Sequence, residues 1–215
     1  MDPSRVPHEP TPADGSAPPQ PAARRRRRRV AGLVLAPGAS AGRDQAALVA
    51  IDDALAVDAV VVERIDFPYR LAGRRAPDRP PVLVACVVDA ATRLADALGC
   101  SLDRIALGGR SMGGRMCSMA VAEGLAAGAL VLVSYPLHPP GKPERLRRDH
   151  FPSIAVPCLF VSGTRDAFAA PAELEAATET IAGPVTHVWI DGGDHGLRAR
   201  DQHVANIVRD WVTSL

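Results

Sequence analysis

The chain has 215 residues, 47% of them hydrophobic, and a net charge of +1, which is enough apolar material for one domain with a substantial core. The charge is unevenly placed: residues 1–29 carry seven arginines against Asp2, Glu9 and Asp14, a net of +4, and the remainder has 18 basic and 21 acidic residues, a net of −3. That balance excludes a basic nucleic-acid binder for the folded part, and Lys142, the only lysine, rules out a P-loop and is poorly placed for a Schiff base.

Residues 1–23 hold Pro3, Pro7, Pro10, Pro12, Pro18, Pro19 and Pro21 and few large apolar groups, a composition that predicts a disordered tail. Arg24–Arg29 follows as an unbroken arginine run. It reads as a solvated charged tail, with a nucleic-acid or anionic-membrane contact as the alternative. A signal peptide is a further rival, with Val30–Ala36 as its apolar core and Ala39-Ser40-Ala41 as its cleavage site. Against it, the apolar run is short, contains Gly32, and would take a strand with it on cleavage. No window approaches ~18 uninterrupted apolar residues, so no transmembrane helix is expected. Cys86, Cys100, Cys117 and Cys158 show no C-x-x-C and no zinc spacing; they read as small core residues or free thiols in a reducing compartment, which points to a cytoplasmic protein.

The domain is expected over residues 30–215. Val30–Ala36 reads as a buried strand, Pro37–Gly42 as a small-residue turn, and Asp44–Ala56 as a helix with Leu48, Ile51 and Leu55 on one face. A second strand is predicted at Ala59–Val62, an irregular Pro/Arg-rich loop over 67–81, and a helix over Val82–Leu98 that Gly99 ends. Arg104–Leu107 reads as a short strand and Arg115–Ala122 as the helix packed on it. Ala129–Ser134 is a further strand, residues 135–154 a long proline-rich loop, and Val156–Ser162 another strand. Pro171–Ala182 is a helix opened by Pro171, Val185–Ile190 the last strand, and Asp201–Ser214 an amphipathic helix with Asp201 as its N-cap. Strands alternating with helices predict an α/β fold: a doubly wound, mostly parallel sheet of about six strands with helices on both faces.

Between the third strand and its helix stands Gly109-Arg110-Ser111-Met112-Gly113, a G-x-S-x-G nucleophile elbow in sequence. Such a turn forces a strained backbone at Ser111, and glycines at −2 and +2 remove side chains that would clash as strand and helix meet. In open α/β sheets, function gathers on the loops leaving the C-terminal strand ends. Two more such loops carry reactive side chains: Gly163-Thr164-Arg165-Asp166 and Asp191-Gly192-Gly193-Asp194-His195-Gly196. A serine hydroxyl is a weak nucleophile until a base takes its proton, histidine does this near neutral pH, and a carboxylate orients the imidazole. Ser111 is therefore the candidate nucleophile, His195 the base and Asp166 the acid, with Asp191 and Asp194 as alternatives for the acid. The oxyanion donors expected are the N–H groups of Met112 and Ala39, with Ser40 the second choice beside Ala39. Ser40, Arg110 and His138 are possible substrate-lining residues. For Arg110 the competing reading is a solvated side chain, for His138 and His150 a surface position, and for His187 and His203 a packed or solvated one. No metal and no cofactor is expected.

On these residues the chain resembles the α/β-hydrolase superfamily, and within it small, lidless, dienelactone-hydrolase-like proteins, including the hydrolase-like domain of a chromatin acetyltransferase-complex subunit of animals. The resemblance is carried by Leu35-Ala36-Pro37-Gly38-Ala39, the elbow, Tyr135-Pro136-Leu137-His138-Pro139-Pro140-Gly141-Lys142-Pro143, Gly163-Thr164-Arg165-Asp166 and Gly193-Asp194-His195-Gly196. It implies a hydrolase core lacking the superfamily's first two strands, in the superfamily order 4-3-5-6-7-8, with walls from residues 67–81 and 135–152. Pro37-Gly38 stands where the superfamily often has His-Gly, and Ser111 stands where dienelactone hydrolases use cysteine. The expected activity is a serine hydrolase cleaving a small acyl ester or thioester through an acyl-enzyme on Ser111. The alternatives are a catalytically silent interaction module with a basic tail and an acyltransferase using the same triad. The partner expected is a small-molecule acyl substrate; oligomeric state is left open.

Overall fold

Short apolar runs bounded by turn residues form the strands of this chain: β1 (Gly32–Ala36), β2 (Val61–Arg64), β3 (Ile105–Arg110), β4 (Ala129–Val133), β5 (Cys158–Gly163) and β6 (Val185–Ile190). The computed structural model describes residues 30–215, so the tail predicted over 1–29, with its arginine run, lies outside the described residues. All six strands pair in parallel, in the order β2-β1-β3-β4-β5-β6. This is the order the resemblance implied. The central strands are buried almost throughout because helices cover both sides. Leu33 and Leu35 of β1 face one layer and Val34 the other, the period-two alternation of a pleated strand.

The helices divide between those two layers. Helices α3 (Pro80–Ala97), α4 (Met112–Ala122) and α5 (Pro171–Thr178) bury Leu83, Val87, Met116, Cys117 and Leu174 on one face. Helices α1 (Ala46–Leu55) and α6 (Asp201–Ser214) bury Leu48, Ile51, Leu55, Val204 and Val208 on the other. The edge strands differ from the centre: β2 is partly exposed and carries Glu63 and Arg64, charges that discourage edge-to-edge pairing.

Several boundaries depart from the sequence expectation. Strand β1 begins at Gly32 and not Val30, although Val30 is buried. Strand β2 begins two residues late, because Ala59 takes a left-handed φ of 56° that closes the preceding turn. The predicted loop over 67–81 contains a one-turn helix, α2 (Pro68–Leu71), with Pro68 where proline's fixed φ suits a first helical turn. Strand β3 runs on to Arg110, and α4 starts immediately after Ser111, so the elbow has no spare residue. Helix α5 stops at Thr178, four residues before Ala182. Asp201 is the first helical residue of α6 and not its N-cap; Arg200 holds the cap position, and Asp201 faces the helix N-terminus as a favourable charge.

Candidate active site

The elbow is a strained point of the backbone at the sheet edge. Ser111 has φ 51° and ψ −117°, a conformation costing on the order of 1–3 kcal/mol. Ser111 N–H donates to Val133 O at 2.8 Å, and Arg115 N–H donates to Ser111 O at 3.1 Å, so β4 and the first turn of α4 hold the strain in place. The glycines at −2 and +2 are needed for a reason other than the one predicted. A Cβ at Gly109 or at Gly113 would stand 2.1 Å from Ala36 O, so the obstacle is the end of the neighbouring strand β1.

The three predicted loops converge on this serine. Ser111 Oγ lies 2.9 Å from His195 Nε2, and His195 Nδ1 lies 2.9 Å from Asp166 Oδ2 and 3.0 Å from Oδ1. The Asp166 carboxylate also accepts the Phe168 N–H at 2.8 Å, and its side chain has no exposed surface, whereas that of His195 is 20% exposed. A buried carboxylate on Nδ1 favours the tautomer whose Nδ1 carries the proton, which leaves the Nε2 lone pair facing the hydroxyl. The alternative acids are engaged elsewhere. Asp194 Oδ1 accepts Leu197 N–H at 3.0 Å inside the histidine's own turn, and Asp191 accepts Thr164 Oγ1 at 3.4 Å.

The loops are braced against each other. Gly163 and Gly193 approach so closely that a Cβ on Gly163 would be 2.1 Å from Gly193 O. Arg165 N–H donates to Gly193 O at 2.9 Å, and the Arg165 guanidinium reaches Gly192 O at 3.2 Å. Phe168, which no motif singles out, stacks on the His195 ring with centroids 3.9 Å apart.

The turn after β1 lies against the elbow, with the Cβ position of Gly38 3.8 Å from Arg110 O. Ala39 and Ser40 are exposed in it, and Met112 opens α4, where its N–H has no acceptor within the helix. Two residues missed in sequence fix this turn. Gln45 Oε1 accepts the Gly38 N–H at 3.0 Å, and the buried Tyr69 donates its hydroxyl to Ala39 O at 2.7 Å. Tyr69 comes from α2, so the segment 67–81 touches the turn after β1 through a short helix.

Other expectations for single residues need correction. Arg110 is not a solvated side chain: it is half-buried and bonds the main-chain carbonyl of His195. Burial pulls its pKa below the ordinary arginine value, while Asp201, Asp166 and Asp194 act in the opposite sense. His138 is buried and not on the surface; its Nδ1 meets Pro139 O at 2.9 Å and its Nε2 meets Glu173 at 3.4 Å, while its main-chain N–H donates to Phe168 O at 3.1 Å. His150 is half-buried, with Nε2 2.8 Å from Ser118 Oγ; burial, reinforced by Arg115, pushes its pKa down to about 4. His187 is packed between Phe160 and Trp189, and His203 is exposed on α6. Burial raises the Cys117 and Cys158 thiols to about 12. Among the described residues no group of three His, Cys, Asp or Glu is placed to hold a metal, and no helix is long and apolar enough to cross a membrane.

A family-wide profile described as an alpha/beta hydrolase domain matches residues 29–211. The chain belongs to the alpha/beta hydrolase family. Solved structures share the fold of this alpha/beta hydrolase domain. A dienelactone hydrolase from Anabaena variabilis superposes with a TM-score of 0.67 at 20% identity, over 85% of each chain. The esterase domain of a Rhodothermus marinus protein gives 0.64 at 16% identity, over 86% of this chain and 88% of that one. The type II thioesterase BorB from the borrelidin biosynthetic cluster gives 0.62 at 16% identity, over 84% and 92%. At these identities the likeness speaks to architecture.

Proposed function

We propose that this alpha/beta hydrolase domain is a serine hydrolase that cleaves small acyl esters or thioesters through an acyl-enzyme on Ser111. One observation carries the reading: the unbroken chain from Ser111 Oγ to His195 Nε2 at 2.9 Å and from His195 Nδ1 to Asp166 at 2.9 Å. In the first half-reaction Ser111 Oγ attacks the acyl carbonyl carbon as its proton passes to His195 Nε2. The carbonyl oxygen becomes an oxyanion, held by the N–H groups of Met112 and Ala39. The intermediate collapses as the C–O or C–S bond to the leaving group breaks and Nε2 returns the proton to the departing alcohol or thiol. In the second half-reaction a water gives its proton to Nε2 and attacks the acyl-serine; the acid leaves and Ser111 regains its proton. Asp166 holds the ring throughout.

Ester and thioester chemistry is favoured by a hydroxyl nucleophile in a site whose base is 20% exposed, open to the water that must resolve the intermediate. An esterase domain and a thioesterase share the architecture, which is compatible with either leaving group. The test is labelling with a fluorophosphonate probe together with hydrolysis of p-nitrophenyl acetate. Wild type is expected to label and turn over, and Ser111→Ala to do neither. Absence of labelling in wild type, or equal labelling of Ser111→Ala, removes the proposal.

A further inference from the structure

We infer that Arg110 is a positioning residue that locks the His195 loop to the nucleophile strand. The inference rests on the roles proposed above for Ser111 and His195. Arg110 Nη2 donates to His195 O at 2.5 Å, between residues 85 apart in sequence. Arg110 is the immediate chain neighbour of Ser111, whose Oγ meets the His195 ring at 2.9 Å. Side chain and main chain of His195 are thus each tied to one of two consecutive residues at the end of β3. The result is a closed ring of contacts, Ser111 hydroxyl to imidazole, through the His195 main chain to its carbonyl, and through the guanidinium back to Ser111. Displacing the imidazole from the hydroxyl requires opening that ring.

The loop needs such a tie on this side. Residues 192 and 193 are already fastened to the acid loop through Arg165 and Thr164, and Leu197 is fastened within the turn by Asp194. Among the described residues, the hydrogen bonds of Arg110 and Ser111 join this loop to the end of β3. The turn is also strained beyond His195, with left-handed φ of 46° at Leu197 and 59° at Ala199, so it does not hold its form by local preference.

The residue type fits the task. A partly buried guanidinium must be bonded to be tolerated there. Its planar fork can hold a carbonyl rigidly and stay charged among Asp166, Asp194 and Asp201, whereas a lysine offers a single flexible ammonium. A guanidinium spent on a main-chain carbonyl does not discriminate between substrates, so its loss should act on turnover and leave substrate binding alone.

The experiment compares full-length wild type, Arg110→Ala and Arg110→Lys for kcat and KM on p-nitrophenyl acetate, and for hydrogen exchange of peptides covering residues 191–200. Loss of a charge-assisted hydrogen bond predicts that kcat in Arg110→Ala falls about 10- to 100-fold with KM within about threefold. Exchange in residues 194–197 should rise about tenfold or more with the rest of the sheet unchanged. Guanidinium chloride at non-denaturing concentration should restore part of kcat in Arg110→Ala and none in Ser111→Ala, and Arg110→Lys should fall between. An unchanged kcat and unchanged loop exchange in Arg110→Ala overturns the inference. So does a loss of kcat accompanied by general unfolding and untouched by guanidinium. If wild type shows no esterase activity yet Arg110→Ala still loosens the loop, the brace stands and the hydrolytic reading fails.

Discussion

Replacing Gly113 by alanine sets two effects against each other, and the structure decides which wins. Alanine is the better helix former by about 1 kcal/mol, and Gly113 lies in the first turn of α4. Against this, the new methyl would stand 2.1 Å from Ala36 O, 2.4 Å from Ala36 C and 2.6 Å from Pro37 O. Ordinary C···O contacts lie near ~3.3 Å or beyond, so the overlap is about 1 Å against backbone, which has no rotamer to change. Relief requires α4 to lift or β1 to withdraw, and withdrawal breaks the pairing of Ala36 with Gly109. Overpacking of this kind costs roughly 1–3 kcal/mol, and each lost ladder bond about 1 kcal/mol more. The net expectation is a loss of about 3 kcal/mol, or about 6–12 °C in melting temperature for a domain of this size. Gly99→Ala is the control: its φ is 58°, nothing lies within 4 Å of the added methyl, and only the left-handed backbone cost of about 1–2 kcal/mol applies. Thermal melts and urea titrations of the two variants should rank Gly113→Ala as clearly the less stable. Equal stability, or the reverse order, would refute the packing argument for the elbow.

Asp166→Asn should lower kcat by roughly 10³–10⁴, since the amide can present its N–H to Nδ1 and stabilise the wrong tautomer. Asp191→Asn and Asp194→Asn should each stay within a few-fold of wild type, and a larger loss in either would reassign the acid. Tyr69→Phe removes the hydroxyl that fixes Ala39 O at 2.7 Å and should reduce kcat about tenfold with little change in KM, as measured by steady-state kinetics. An unaltered kcat would mean that the turn holds its form without that bond. His150 is kept neutral in the fold, with its pKa pushed down to about 4 from an ordinary 6.5. Between those values the unfolded chain binds a proton that the folded chain does not, so stability falls as pH falls through this window and the effect levels off below about 4. The stability gap between wild type and His150→Gln, measured by urea denaturation, should therefore narrow from pH 7 to pH 4.5. A gap independent of pH would exclude His150 as the cause.

The parts of this fold legible in sequence were those governed by local demands. Strand β6 and helix α6 lie where the pattern put them, because alternation, flanking turns and an amphipathic stripe all agree. The elbow was legible because glycines flank a serine between an apolar run and a helix. Asp166 could be preferred over Asp191 and Asp194 because a full strand delivers it to the same rim. Contacts over long sequence distance were not legible. Nothing about Tyr69 or Phe168 as letters signals that one fixes the turn after β1 and the other stacks on His195, since each role depends on where another segment passes. Arg110 misled for the same reason: composition makes arginine look like solvated surface, and only the fold shows a carbonyl waiting for it. The reason for Gly109 and Gly113 was also hidden, because Ala36 lies over 70 positions upstream.

Ser111 follows directly on β3, which is flanked by strands on both sides, whereas His195 hangs from β6, which has one neighbour and ends the sheet. The contact between His195 and Ser111 is thereby tethered to a border of the sheet. Warming that frays this border would part His195 from Ser111 while the interior layers stay assembled.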